Sequence, residues 1–256
     1  MGAAAILSPK ATSSEYAALK SYLERELGMP VELVQRGTYA EINELLRTRQ
    51  IDFAFVCTGA YVRGEREFGM EVLAVSVVGG STTYRSYIIV PAESPAADPA
   101  GLRGKTFAFT DPLSLTGYIV PLMLFHSLGI QPEEFFQRTL FTYSHDNSIR
   151  AVAERWVDGA AVDSVIYDTM VQEDARSATA TKIIWQSEPF GAPPVVVHPN
   201  LDPNLKERIR QVLLNMGDHP DGRAALAPLG VERFVLAGPE LYESARQAME
   251  SVGGIQ

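Results

Sequence analysis

Thiol chemistry is nearly absent from this chain, in which Cys57 is the one cysteine. A single thiol excludes an intramolecular disulfide and any multi-cysteine metal site, and its place in an apolar, strand-like segment marks it as a small buried hydrophobe. Histidine is scarce as well: His126, His145, His198 and His219 stand far apart, without the paired spacing that holds zinc. Long apolar runs are missing, none approaching the roughly 18 residues of a membrane-spanning helix. The opening Met1-Gly2-Ala3-Ala4-Ala5-Ile6-Leu7 has no basic segment before its short apolar stretch and reads neither as a signal peptide nor as an anchor. Positive charge is in deficit, with 22 Lys and Arg against 31 Asp and Glu, a formal net charge of -9, and no dense basic run. That argues against nucleic acid as a partner. It leaves a small anion open, because one anion needs only a local cluster of donors.

What is present suits two α/β lobes. The 256 residues are 46% hydrophobic and 21% charged, enough for real cores. Ser13 or Ser14 can cap a helix whose stripe is Tyr16, Leu19, Tyr22, Leu23 and Leu27, closed by Gly28 and Pro30. A strand over Val31 to Val34, a helix from about Tyr39 to Arg47 and an apolar strand over Ile51 to Cys57 follow. This β, α, β alternation predicts mostly parallel strands with crossover helices. Val72 to Val78 and Tyr84 to Val90 add strands. The proline-rich stretch Pro91 to Pro99 interrupts the pattern, and a second α/β series begins. It has strands at Thr106 to Phe109, Leu140 to Tyr143, Ala160 to Val165 and Ile183 to Trp185, and helices at Gly117 to Leu128 and Ile149 to Trp156. A second proline cluster, Pro189 to Pro194, precedes Val195-Val196-Val197. The expected division is therefore residues 1–90 plus 192–256 as one lobe and 91–191 as the other, with two crossings acting as a hinge.

Three strand ends carry the candidate chemistry. In Thr110-Asp111-Pro112-Leu113-Ser114-Leu115-Thr116-Gly117-Tyr118 a strand turns into a helix beside two hydroxyls. Backbone N–H groups at a helix start are unpaired and carry partial positive charge, so an anion gains hydrogen bonds there without a formal cation. Ser114 and Thr116 either donate to that anion or serve as cap and packing residues. Tyr143-Ser144-His145-Asp146 repeats the arrangement, with His145 as an anion donor or a loop and cap histidine. Asp163, after Ala160-Ala161-Val162, either accepts a proton from a partly protonated oxyanion or caps a helix. All three lie at carboxyl ends of strands, where open α/β sheets bind ligands.

Competing motifs fail. Gly101-Leu102-Arg103-Gly104-Lys105-Thr106 ends like a phosphate-binding P-loop, but Pro99 holds the earlier glycine position and a strand follows in place of a helix. No Gly-x-Ser-x-Gly elbow is present.

Taken together, four segments resemble the phosphonate, phosphite and phosphate binding proteins of ABC importers, a branch of the type II periplasmic binding proteins. They are Asp111-Pro112-x-Ser114-x-Thr116-Gly117-Tyr118 with Pro121, Ser144-His145-Asp146 with Ile149-x-Ala151-Val152, Val157 to Ser164, and Ile183-Ile184-Trp185-x-Ser187. The resemblance implies a two-lobed extracytoplasmic protein that captures a small phosphorus oxyanion between its lobes, has no cofactor and no catalytic step, and partners an ABC permease and ATPase. The alternative is the sensor domain of a membrane histidine kinase or receptor with the same fold. Carried over residue by residue, the ligand contacts become Ser114, Leu115, Thr116 and His145, with Asp163 as in phosphite-like and phosphate-like members and Tyr39 and Tyr84 as lid or wall. Leu115 departs from the hydroxyl residue usual at that position, so one side-chain donor is missing while its N–H remains. Phe190 to Pro194 lacks the acidic residue with which aminophosphonate binders hold an amine, which disfavours an aminoalkyl ligand.

Overall fold

Alternating side chains on the strands build this protein from the inside. The computed structural model describes residues 1–173 and 179–253. In chain order the first elements are β1 (Gly2–Ala3), α1 (Pro9–Leu27), β2 (Val34–Gln35), α2 (Tyr39–Arg47), β3 (Phe53–Phe55), α3 (Thr58–Phe68), β4 (Glu71–Val77), β5 (Thr83–Tyr84) and β6 (Ser86–Pro91). Then come β7 (Thr106–Phe109), α4 (Val120–Ser127), α5 (Pro132–Phe135), β8 (Arg138–Phe141), α6 (His145–Ala153), β9 (Gly159–Asp163), α7 (Ser164–Glu173), β10 (Thr181–Gln186), β11 (Phe190–Gly191), β12 (Pro194–Val197) and β13 (Arg233–Val235). Helices Pro203–Asn215, Pro220–Leu226 and Glu243–Ser251 lie among and after the last strands.

Two units pack separately. One comprises Met1–Ala5, Pro9–Thr83 and Gly191–Glu243, the other Ile6–Ser8, Tyr84–Phe190 and the stretch from Ser244 on. The boundary expected at Pro91 falls instead at Tyr84, because β6 pairs on one side with β9 and on the other with β10 and so belongs to the second sheet. The chain also visits the second unit briefly at Ile6–Ser8 and returns to the first at Pro9, an excursion the sequence reading did not anticipate.

The first unit's sheet has the order β13-β4-β12-β3-β1-β2 among the described residues. β1 pairs in parallel with β2 and β3, whereas β12 enters antiparallel between β3 and β4. The sheet is therefore mixed, since β12 arrives from the other unit without the crossover helix that parallel pairing requires. α1 starts at Pro9, earlier than a Ser13 cap predicts, with proline's fixed φ suited to a first turn. It lays Leu19, Tyr22, Leu23 and Leu27 on Phe53, Phe55, Leu73 and Val195. α2 follows its expected bounds. Thr38 Oγ1 accepts from Glu41 N–H at 3.3 Å while Glu41 Oε2 accepts from Thr38 N–H at 2.9 Å, a capping box that satisfies two end groups at once.

The second sheet has the order β10-β6-β9-β7-β8, with β7 parallel to β8 and β9 and with β6 antiparallel to both β9 and β10. One face carries Ile88, Val90, Phe107, Phe109 and Ala161 under Phe125, Phe135 and Phe136. The other carries Ile89, Ala108, Ala160 and Val162 under Ile149, Val152 and Tyr167. This period-two division sends residues just past the strand ends to defined sides. Thr110 continues the side of Ala108, toward α6.

Candidate anion site

The turn after β7 is a helix opened too wide. Residues Leu115–Ile119 form a π turn: Ile119 N–H donates to Ser114 O at 3.0 Å and Val120 N–H to Leu115 O, each five residues back. π turns cost backbone geometry and recur at functional sites. Ser114 caps this turn, its Oγ accepting from Gly117 N–H at 3.0 Å. Gly117 is required here because a Cβ would stand 2.4 Å from Thr110 Oγ1. That close approach lets Thr110 N–H donate to Gly117 O at 3.0 Å, and Ser86 Oγ holds Thr116 O at 2.6 Å. The two carbonyls thus point into the protein, leaving the helix-start N–H groups of Leu115 and Thr116 without intrahelical acceptors. Leu115 is fully buried and contributes no side-chain donor. Thr116 Oγ1 is also buried, and it has no hydrogen-bond partner among the described residues.

His145 comes from the neighbouring strand end. β8 ends two residues earlier than expected, and the chain turns through Tyr143 at φ 59°, a left-handed conformation rare for an aromatic residue. Tyr143 N–H donates to Thr110 O at 2.7 Å, which fixes the turn. α6 then starts at His145, not at Ile149, since Ser144 takes the N-cap position. The visiting segment anchors this start: His145 N–H donates to Ile6 O at 2.9 Å and Ser8 N–H to Asp146 Oδ1 at 2.8 Å. Asp146 Oδ2 accepts from Arg150 at 2.9 Å. Burial alone would raise the Asp146 carboxyl, but Ser8, Ser144 and Arg150 together hold it below its usual range.

The imidazole of His145 is fully buried. Its Nδ1 lies 3.0 Å from Asp163 N and 3.2 Å from Thr110 Oγ1, and its Nε2 lies 3.4 Å from Ser114 Oγ. Burial pushes its pKa from 6.5 down to about 3, against a smaller opposing pull from Asp146. Asp163, at the end of β9, caps α7: its Oδ1 accepts from Val165 N–H at 2.7 Å and Ile166 N–H at 3.2 Å. Burial nevertheless pushes its pKa from 3.8 up to about 7, those two bonds opposing and Asp168 adding a little. A carboxyl in this state is protonated at mildly acid pH and ionised above neutrality.

The structure brings Ser114, Thr116, His145 and Asp163 together in one unit, with Leu115 behind them. Tyr84 opens the same unit, whereas Tyr39 belongs to the first unit as the opening residue of α2, and both are buried. Sequence reasoning missed Thr110 and Ser86, which set the π turn, and the Ile6–Ser8 clip on α6. Thr110 was detectable as the next inward position after Ala108 on a period-two strand. No local pattern announces the clip.

Comparison with known proteins shows the family and the fold. A family model described as the periplasmic substrate-binding protein of phosphonate ABC transporters matches residues 1–242. The chain belongs to this family. It is 28% identical over 218 residues to the phosphonates-binding periplasmic protein of Escherichia coli K12, covering 83% of this chain and 64% of that protein. With the phosphate-import protein PhnD of Mycolicibacterium smegmatis it shares 26% identity over 210 residues, 77% of this chain and 65% of the other. The chain thus spans just under two thirds of the length of each. The crystal structure of a binding-protein component of an ABC phosphonate transporter from Pseudomonas aeruginosa superposes with a TM-score of 0.90 at 24% identity, covering 96% of this chain and 83% of that one. The fold is that of the type II periplasmic binding proteins. No helix among the described residues is long and apolar enough to cross a membrane.

Proposed function

We propose that this chain is an extracytoplasmic solute-binding protein that captures a small phosphorus oxyanion (phosphonate, phosphite or phosphate) at the strand ends after β7, β8 and β9 and delivers it to an ABC permease and ATPase. The observation that carries this reading is Thr116 Oγ1: a hydroxyl with no exposed surface and no partner among the described residues, in the first turn of the helix that Ser114 caps. Leaving such a group unsatisfied costs about 1–3 kcal/mol, a cost that a ligand oxygen removes. The relatives named for phosphonate and phosphate support the same ligand class. Donors here are hydroxyls and backbone N–H groups, with no cationic side chain among them, so recognition is by directed hydrogen bonds instead of ion pairing. Asp163 supplies the pH-sensitive contact, accepting from a P–OH when ionised and donating to a bare oxygen when protonated. Tyr39 and Tyr84 are assigned as the aromatic lid and wall, and the hinge, expected near Val90 and Pro193, is assigned to the two chain crossings at residues 83–84 and 190–191.

We read the chain as a binding protein and not an enzyme, and the setting of His145 supports this against one class, the serine hydrolases. In a serine hydrolase the base nitrogen facing serine is bare and the other donates to a carboxylate. Here Nδ1 takes a backbone N–H from Asp163, the reverse arrangement.

Thermal-shift measurements with phosphate, phosphite, methylphosphonate, sulfate and aminoethylphosphonate test the reading. A ligand at 100 times its Kd stabilises by about 2.7 kcal/mol. A phosphorus oxyanion is expected to raise the melting temperature of the wild type and not of Thr116→Val. No shift with any of the five, or an equal shift in the variant, refutes the site.

A further inference from the structure

The Ser114 hydroxyl offers two lone pairs and one proton, and its surroundings determine what each can do. Gly117 N–H fills one lone pair at 3.0 Å. The other faces His145 Nε2 at 3.4 Å. Which way that contact runs depends on the ring's tautomer, and the opposite nitrogen settles it. A backbone N–H can only donate, so Asp163 N–H, 3.0 Å from Nδ1, requires Nδ1 to be bare. The neutral ring's single proton then sits on Nε2 and points at Ser114 Oγ. Protonating Nδ1 would set two N–H groups against each other in a buried place. Thr110 Oγ1, also 3.2 Å from Nδ1, gives its proton to Ala161 O or to the ring, and both leave Nδ1 an acceptor. The charged group that acts on the ring is Asp146 on its own helix; Asp163, at the end of β9, is titratable and meets the ring through its backbone N–H, while β7 and the π turn present the hydroxyls of Thr110 and Ser114.

We propose that His145 is a positioning residue that acts through Ser114: as a fixed Nε2–H tautomer it occupies the second lone pair of Ser114 Oγ, so the Ser114 O–H can only donate to the ligand. This subsite then takes a deprotonated, acceptor oxygen and rejects a P–OH, a methyl or a hydride, which must sit toward Thr116 or Asp163. The proposal deepens the oxyanion reading above and rests on it, but its chemical core is testable without any ligand.

Two experiments decide it. In ligand-free protein, 15N NMR of labelled imidazoles should show His145 with a bare Nδ1 and a protonated Nε2, unchanged from pH 5 to 8; an imidazolium or an Nδ1–H tautomer in that range overturns the proposal. In calorimetry with methylphosphonate, H145N preserves an acceptor at the Nδ1 position but removes the Nε2 donor, whereas H145Q restores a donor at the Nε2 position. H145N is expected to weaken binding at least tenfold, H145Q less than threefold, and H145N in an S114A background less than threefold further. An equal loss from H145N with and without Ser114 means that His145 touches the ligand directly, and the positioning role fails. If wild type binds no oxyanion, the functional reading falls and the NMR result alone judges the tautomer. Melting curves and the NMR of the wild type keep the test decisive if a variant folds poorly.

Discussion

Folding moves a proton between two buried groups of this site, and replacing one of them exposes the other. In the unfolded chain near pH 5.5, His145 is charged and Asp163 ionised, their ordinary pKa values being 6.5 and 3.8; in the folded chain burial brings these to about 3 and about 7, so both groups are neutral. The raised Asp163 contributes stability that is complete below pH 3.8 and lost as pH rises through 7. The depressed His145 contributes stability that is complete above pH 6.5 and lost as pH falls toward 3. Between about pH 4 and 6.5 the two slopes cancel, and the pair leaves stability flat. Asp163→Asn keeps an oxygen to accept from Val165 and Ile166 but no longer titrates. At about 1.4 kcal/mol per pKa unit, a shift of some three units makes the variant lose about 4 kcal/mol relative to wild type as pH falls from 7 to 4. Asp146 and Asp168 stay in both proteins, so the difference between their profiles isolates Asp163. Urea unfolding at half-unit pH intervals measures it. Parallel profiles would mean that Asp163 stays ionised in the folded chain from pH 7 to about 4, and the raised pKa would be refuted.

Other consequences are simpler to test. Gly117→Ala places a methyl 2.4 Å from Thr110 Oγ1 and is expected to cost about 1–3 kcal/mol in denaturant melts while abolishing oxyanion binding, because the π turn cannot close on Thr110. Thr38→Ala removes the capping box of α2 and is expected to cost about 1 kcal/mol without changing the melting-temperature increment that a phosphorus oxyanion produces. Ser86→Ala leaves the buried Thr116 carbonyl without its 2.6 Å bond and is expected to cost about 1–3 kcal/mol in denaturant melts, and calorimetry is expected to show weaker methylphosphonate binding. Under the hinge assignment, small-angle scattering with a confirmed ligand is expected to give a smaller radius of gyration than without it, and identical profiles would remove closure from the mechanism.

Local pattern carries information about elements and about which strand ends matter, and it fails where distant backbone completes a turn. The alternation of Phe107, Ala108 and Phe109 and the stripe of Leu19, Leu23 and Leu27 have direct counterparts in the packed cores. The predicted helix at Gly117 is there too, but its opening turn belongs to Ser114 and is π, because Ser114 Oγ, Thr110 N–H and Ser86 Oγ all bind its backbone from outside the helix. Helix α6 begins four residues before the apolar periodicity does, for the same reason: His145 N–H is satisfied by Ile6 O, which is 139 positions away in the chain. Periodicity reports burial, and the first turn of a ligand-binding helix is governed by hydrogen bonds. The most consequential revision concerns His145. A histidine before a helix suggests a cation that gains a charge-assisted bond to an anion. Burial and the Asp163 N–H make it a neutral ring with its proton already committed to one side. Residue type identifies a candidate at a strand end, whereas its tautomer is governed by the backbone N–H of Asp163 at the end of the next element, β9.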